Sequence, residues 1–223
     1  MLFNNMSFNV SLNLNEVFDR VINYLNKDSP EVIESKARDG DCDAQYYLGL
    51  MFYFGNNKGR NHKKAFEYLK ESADAGHSEA QYMVGVMYEY AQGVEQNYAQ
   101  AFDFYIKAAK QGHTEALNWL ISKAEAKYGS SKAQCNLGLI YKRGQVDAIG
   151  KVINRAYDKA LKYFKMAAEQ GNSVAQYNLG LMYEAGQVEG GQNLKEAIDW
   201  YQKAADRGHK QAERALNRIQ SRQ

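Results

Sequence analysis

Three histidines follow a glycine in the same local pattern, and histidine is a common metal ligand. They are His77, His113 and His209, in "GHSEA", "GHTEA" and "GHKQA". A structural zinc site needs four nitrogen, sulfur or oxygen ligands brought together. In other parts of the chain, however, the same slot is occupied by Asp41, Ser130 and Asn172. Because Asp, Asn and Ser accept hydrogen bonds from the free N–H groups of a first helical turn, the pattern predicts helix caps. We expect no metal and no cofactor.

The other residue types that could carry catalysis form no recognisable constellation. Acidic and basic residues alternate in "EYLKESAD", as on a solvent-exposed helix with weak ion pairs. The glycine-rich "GQVEGGQ" is not followed by the Lys-Ser/Thr of a phosphate-binding loop. Cys42 and Cys135 are the only cysteines, so we expect two free thiols rather than a disulfide framework. The sequence predicts a protein without catalytic residues, with a site near Trp119 and Lys123 as the enzymatic alternative.

Charge and hydropathy exclude two classes of partner. The 223 residues include 28 basic and 26 acidic side chains, for a net charge of +2. This balance gives no general attraction to nucleic acid or to an anionic membrane. No apolar run reaches the roughly 20 residues that cross a bilayer, and the first residues do not resemble a secretory signal. We expect a cytoplasmic protein that neither binds nucleic acid nor inserts into a membrane, with non-classical export as the alternative.

One twelve-residue segment occurs four times. "AQYYLGLMFYFG" begins at Ala44, and close copies begin at Ala80, Ala133 and Ala175. The turn glycines Gly76 and Gly112 are 36 residues apart, as are Ala44 and Ala80. Self-similarity with a period of 20–50 residues indicates a solenoid.

Within each period the apolar spacing predicts two helices. The first, helix A, carries the repeated segment; a loop follows, then a second helix B that ends at a turn glycine. The predicted organisation is a flexible segment at 1–11, an N-terminal helix pair at 12–42, two full repeats at 43–114, a shortened irregular unit at 115–131, two full repeats at 132–209 and a closing helix at 210–223. Whether 115–131 forms one helix or two is left open. The helix pair comprises an amphipathic Leu12–Asn26 and a helix from Pro30 to Arg38.

A glycine recurs inside every helix A, where it costs about 1 kcal/mol relative to alanine. The four are Gly49, Gly85, Gly138 and Gly180. A repeated cost indicates a repeated reason, and we expect the close approach of helix B. Small residues are predicted opposite each glycine, namely Ala65, Ala101, Ala160 and Ala197.

The motifs "AQYxLGxMYExG" and "AxxWYxKAAxxG" resemble the Sel1-like repeat, a relative of the tetratricopeptide repeat. The fullest copy spans 174–209, and the resemblance covers roughly residues 30–215. It implies an all-α fold, a right-handed α-solenoid with helix A lining a concave groove. It also implies a non-catalytic adaptor or scaffold that binds a partner protein. Some members are similar to immunity proteins that neutralise a bacterial toxin, which gives an alternative function. Cysteine-rich members are linked to β-lactam hydrolysis, but this chain lacks their repeated cysteine pairs.

By analogy with related repeats, we expect one face of each helix A to contact the partner. Tyrosine is enriched at interfaces because it offers a large contact area and a polar tip. Alternatively, the tyrosines of "AQY" pack between neighbouring helices. A partner segment carrying both charges would fit this groove, and the protein itself is expected to be a monomer. The predicted groove residues are Tyr46, Leu50, Tyr53, Phe54, Tyr82, Val86, Glu89, Tyr90, Leu139, Lys142, Tyr177, Leu181 and Glu184.

Overall fold

The computed structural model describes residues 23–24, 27–55, 59–126, 129–146, 152–153 and 156–221. The predicted flexible segment 1–11 lies outside these residues, as does the predicted helix Leu12–Asn26 apart from 23–24. The chain divides into two compact units, with the boundary between Ala109 and Lys110. Each unit is described separately.

Unit 1 consists of consecutive helix pairs that follow the predicted repeats. Proline at the first helical position opens the first helix, as predicted, although the Ser29 side chain makes no capping hydrogen bond. Helix A of each repeat packs on the helix B that follows it, around a core that includes Ile33, Leu48 and Met83. The helices are α1 (Pro30–Arg38), α2 (Cys42–Phe54), α3 (His62–Asp74), α4 (Ser78–Glu89) and α5 (Tyr98–Lys110).

Unit 2 continues the pattern and adds a short hairpin. The helices are α6 (Thr114–Glu125), α7 (Ser131–Arg143), α8 (Tyr157–Glu169), α9 (Ser173–Glu184), α10 (Leu194–Ala205) and α11 (Lys210–Gln220). Between α7 and α8, β1 (Gln145–Val146) pairs antiparallel with β2 (Val152–Ile153). The extra residues of the third repeat thus include a two-residue ladder rather than loop alone. Helix α11 buries Leu216 and Ile219 against α10.

The residue after five of the turn glycines caps the next helix. Its side chain accepts a hydrogen bond from the backbone N–H three residues later, at 2.9–3.4 Å. The capping interpretation is confirmed for Asp41, His77, His113, Ser130 and Asn172. His209 also precedes a helix, but its side chain makes no capping bond.

Each glycine within helix A allows helix B to approach closely, but the predicted alanine partners are wrong. A Cβ added to the glycine would lie 2.4–2.8 Å from a large side chain of helix B. The four contacts are Gly49 with Leu69, Gly85 with Tyr105, Gly138 with Phe164 and Gly180 with Tyr201. The predicted residues Ala65, Ala101, Ala160 and Ala197 lie one helical turn earlier. The missing Cβ leaves a slot that a ring or a leucine fills, whereas an alanine would leave a void in a close-packed interior.

The glutamine of the "AQ" motif links consecutive helices. It is buried, and its Nε2 donates to a backbone carbonyl at the end of the preceding helix, at 3.0–3.1 Å. Three of those carbonyls, at Ala37, Ala73 and Ala168, also accept from the N–H of the turn glycine three residues later. The four pairs are Gln45 with Ala37, Gln81 with Ala73, Gln134 with Ala124 and Gln176 with Ala168.

Helix α6 forms a single helix that combines the two roles of a repeat. It begins like a helix A, because His113 caps the N–H of Ala116. It ends like a helix B, because the Ala124 carbonyl accepts from Gln134 of α7. A single helix therefore replaces the two helices of a full repeat. The glutamine of the next helix A, Gln134, still bonds to a carbonyl at the end of the preceding helix.

Candidate functional site

The predicted groove residues differ in how accessible they are. Tyr90 is exposed, with 46% of its surface accessible. Half-buried are Glu89, Leu139, Lys142, Tyr177, Leu181 and Glu184. Buried are Tyr46, Leu50, Tyr53, Phe54, Tyr82 and Val86. The buried six all belong to unit 1, so most of the accessible predicted residues lie in unit 2.

The tyrosines of unit 1 make internal contacts. Tyr46 stacks on the ring of His77, with ring centroids 4.4 Å apart. The Tyr53 hydroxyl donates to Gln92 Oε1 at 2.6 Å, and burial raises the pKa of Tyr53 to about 12. These contacts support the alternative interpretation, in which the tyrosine face of helix A packs inside the protein. A role of these residues in binding a partner stays a prediction.

Two predicted groove acids form hydrogen bonds to tyrosines of helix B. Tyr105 donates its hydroxyl to Glu89 at 2.6 Å, and Tyr201 donates to Glu184 at 2.7 Å. Burial, together with the adjacent carboxylate, raises the pKa of both tyrosines. The second and fourth repeats therefore share a glutamate–tyrosine pair that joins helix A to helix B.

The third repeat replaces both members of this pair. Lys142 occupies the position of Glu89 and Glu184, and Phe164 occupies the position of the two tyrosines. Lys142 Nζ donates to Asn178 Oδ1 at 3.2 Å, which joins α7 to α9. Burial, and secondly the neighbouring Arg143, lowers the pKa of Lys142. Within the described residues, no carboxylate forms an ion pair with Lys142 or Arg143.

A pocket of about 390 Å³ opens beside this lysine. Gln187 Nε2 donates to the Tyr157 hydroxyl at 3.4 Å, whereas Gln187 Oε1 is buried and accepts from no described residue. The pocket, called here the Lys142 pocket, is lined by Leu139, Lys142, Arg143, Tyr157, Asn178 and Gln187. It presents two cations, one unused acceptor and an apolar wall.

The sequence analysis included Leu139 and Lys142 but missed the other side of this pocket. Tyr157, Asn178 and Gln187 come from three separate segments, and no local motif joins them. A usable signal was present at two aligned positions, where the third repeat has Lys142 and Phe164 in place of glutamate and tyrosine.

The residues considered for catalysis are the two cysteines and the pair Trp119 and Lys123. Burial raises the pKa of the Cys42 thiol and raises that of Cys135 to about 11, so neither thiol is predominantly ionised at neutral pH. Lys123 Nζ lies 5.1 Å from the centre of the Trp119 ring.

Among the described residues, no group of three or more His, Cys, Asp or Glu side chains could hold a metal ion. No helix in the described part of the chain has the length and apolarity to cross a membrane.

The Sel1 repeat profile matches four segments, 42–77, 78–113, 131–172 and 173–209. The chain belongs to the Sel1 repeat family. The matched segments begin one residue before the predicted repeats, and each contains one helix A and one helix B. This all-α repeat fold is typical of scaffolds that bind protein partners, and the family is generally non-catalytic.

Solved structures with similar repeats come from several bacteria. A protective antigen of uropathogenic Escherichia coli is 30% identical over 86% of this chain and 36% of its own, with a TM-score of 0.39. A Sel1 repeat protein from Oxalobacter formigenes is 30% identical over 84% of this chain and 57% of its own, with a TM-score of 0.41. An immunity protein from Pseudomonas aeruginosa is 21% identical over 77% of this chain and 67% of its own, with a TM-score of 0.33. The chain thus spans between about a third and three fifths of the length of the first two. No curated protein sequence matches it.

Proposed function

We propose that this Sel1 repeat protein is a non-catalytic interaction module that binds a segment of a partner protein on the helix A surface of unit 2. That surface is formed by α7 and α9, which Lys142 and Asn178 connect. The observation that carries the proposal is the Lys142 pocket, where a half-buried cation forms no ion pair with a carboxylate of the described residues, whereas its glutamate counterparts bond to a tyrosine of helix B.

Apolar side chains of α9 support the same surface. Val174 is 42% exposed, and Tyr177 and Leu181 are half-buried on the same face of α9. Residues at i, i+3 and i+7 of a helix share one face, so the three lie on one side of α9. Tyr177 and Leu181 also pack against the core of α10 and α11, and the Tyr177 ring stacks on His209 with centroids 4.6 Å apart, so only the accessible part of each side chain can contact a partner. Covering that part stabilises the complex by roughly 25 cal/mol for each Å² of apolar surface removed from water.

The test is affinity purification of the tagged protein from its native cell, with the co-purified proteins identified by mass spectrometry. The variant Val174→Glu places a charge on the helix A surface. Its matched control is Leu194→Glu, because Leu194 is 44% exposed and also lies in the first turn of a helix, on α10. Acidic residues are favourable near a helix N-terminus, so both variants should keep the wild-type circular dichroism spectrum.

We expect a stoichiometric partner that is lost with Val174→Glu and retained with Leu194→Glu. A partner retained equally by both variants would contradict the proposed surface, and the absence of any stoichiometric partner would contradict the proposed function. The identity of the partner separates the two forms of the function. A single toxin in a tight one-to-one complex would indicate an immunity protein, whereas several cellular partners would indicate an adaptor.

A further inference from the structure

The replacement at positions 142 and 164 is coordinated. In the second and fourth repeats, a helix A glutamate accepts a hydrogen bond from a helix B tyrosine. Losing only the glutamate would leave a buried tyrosine hydroxyl without its acceptor, at a cost of about 1–3 kcal/mol. Phe164 avoids that cost, because it fills the same slot against Gly138 without a hydroxyl. Residue 142 is therefore not required as a hydrogen-bond acceptor for helix B.

A half-buried lysine that pairs with no carboxylate of the described residues is costly to keep for stability alone. Desolvation disfavours its charged form, and the adjacent Arg143 adds like-charge repulsion. Within the part of the chain that the structure describes, Lys142 hydrogen-bonds to the neutral Asn178. A bound anion would supply the missing charge partner and would be shared by two cations.

The remaining pocket groups specify what carries the anion. Gln187 Oε1 is a buried acceptor that receives no hydrogen bond from a described residue, and a carbonyl oxygen repels a second anion but accepts from an N–H. Leu139 contributes an apolar wall. A peptide-borne acidic residue combines a carboxylate, a short apolar stem and a backbone N–H, whereas a free inorganic anion has no N–H or stem.

We propose that the Lys142 pocket binds an Asp or Glu side chain of an extended partner segment. The carboxylate pairs with Lys142 Nζ and the Arg143 guanidinium, and a backbone N–H of the segment donates to Gln187 Oε1. This assignment names the partner chemistry of the surface proposed above and rests on that proposed function.

The test uses the full chain, labelled with ¹⁵N, and titration with blocked peptides. The probe is acetyl-Gly-Ala-Glu-Ala-Gly-amide, and its isostere carries Gln in place of Glu. The side-chain amide signals of Asn178 and Gln187 report directly on the pocket. The double variant Lys142→Glu/Phe164→Tyr restores the pair found in two other repeats, so it removes the cation within a packing arrangement that the chain already uses. Lys142→Met is a second variant, should the double variant fail to fold.

The matched control is Lys195→Glu, an exposed position of α10 with the same change in net charge. We expect the Glu peptide to shift both amide signals in the wild type and in the control. We expect affinity about tenfold lower for the Gln peptide and for the variants at Lys142, as for loss of one close charge pair.

Three results would overturn the assignment. They are equal binding of the Glu and Gln peptides, wild-type binding by the Lys142 variants, and the same shifts produced by inorganic phosphate or more strongly by a phosphoserine peptide. Failure here is distinguishable from failure of the proposed function. A native partner that responds to Val174→Glu but not to Lys142→Met would leave the surface in place and remove the acidic anchor.

Discussion

Substitution of Gly180 by alanine tests the close contact between helices A and B. Helix propensity alone favours alanine by about 1 kcal/mol. Against this, the new Cβ would lie 2.4 Å from Tyr201 Cε1 and 2.5 Å from Cδ1. The ring has little freedom to move, because Tyr201 is fully buried and its hydroxyl is held by Glu184.

Overpacking of a rigid site typically costs about 1–3 kcal/mol. We expect the upper end of this range because the ring is confined, and subtracting the alanine gain of about 1 kcal/mol leaves a net loss of about 2 kcal/mol. For a chain of this length, such a loss lowers the Tm by about 4–8 °C. The assay is urea unfolding followed by circular dichroism, together with a thermal scan.

A double-mutant cycle with Tyr201→Leu assigns the loss to the ring. The cost of Gly180→Ala should fall in the Tyr201→Leu background, because leucine can turn away from the new methyl group. A variant Gly180→Ala that is as stable as the wild type, or more stable, would refute the packing explanation for the repeated glycines.

Three further predictions address other features of the repeats. Ala91 has a φ of 55°, a strained conformation for alanine, where the other repeats have glycine. The variant Ala91→Gly should therefore raise the urea midpoint by the equivalent of about 0.5–1 kcal/mol. A lower midpoint would contradict this strain. The pKa of Tyr201 is raised in the folded state, so its contribution is present below the unfolded pKa of about 10 and is lost as pH rises above it. Wild-type stability should therefore fall more steeply between pH 9 and 11 than that of Tyr201→Phe, and equal slopes would argue against the pair. Arg218 donates to both oxygens of Glu184 at 2.7 Å but is half exposed, so Arg218→Met should destabilise α11 by no more than about 1 kcal/mol in chemical denaturation, a larger loss indicating a buried role.

The sequence was sufficient to predict the helix A and helix B of the four matched repeats. Turn glycines, capping residues and apolar spacing are local signals, and four copies in register reinforce one another. The helix from Pro30 to Arg38 and the capping role of His77 follow from such signals, and the structure confirms both.

Burial depth could not be predicted in the same way. The period of a helix identifies a face but not what covers it, and Tyr53 is covered by Gln92 and His62, which come from other segments. The partner of each glycine was missed for a related reason. Ala197 and Tyr201 lie on one face of α10, and only the crossing point of the helices decides which of them meets Gly180.

The candidate pocket depends on contacts between repeats. Lys142 was predicted as a groove residue from its position alone. Its significance comes from Asn178 in the next repeat and Gln187 after it, together with the lost glutamate–tyrosine pair. Comparing the repeats position by position would have identified the exception, but not the pocket that the exception creates.

The most direct test of the proposed function is site-specific photo-crosslinking in the native cell. A photo-crosslinking residue is placed either at position 139, on the wall of the Lys142 pocket, or at position 199, an exposed site on α10. We predict that position 139 captures one partner protein, through an acidic segment identified by mass spectrometry, and that position 199 does not. Capture of the same partner from position 199 but not from position 139 would contradict a binding surface formed by α7 and α9.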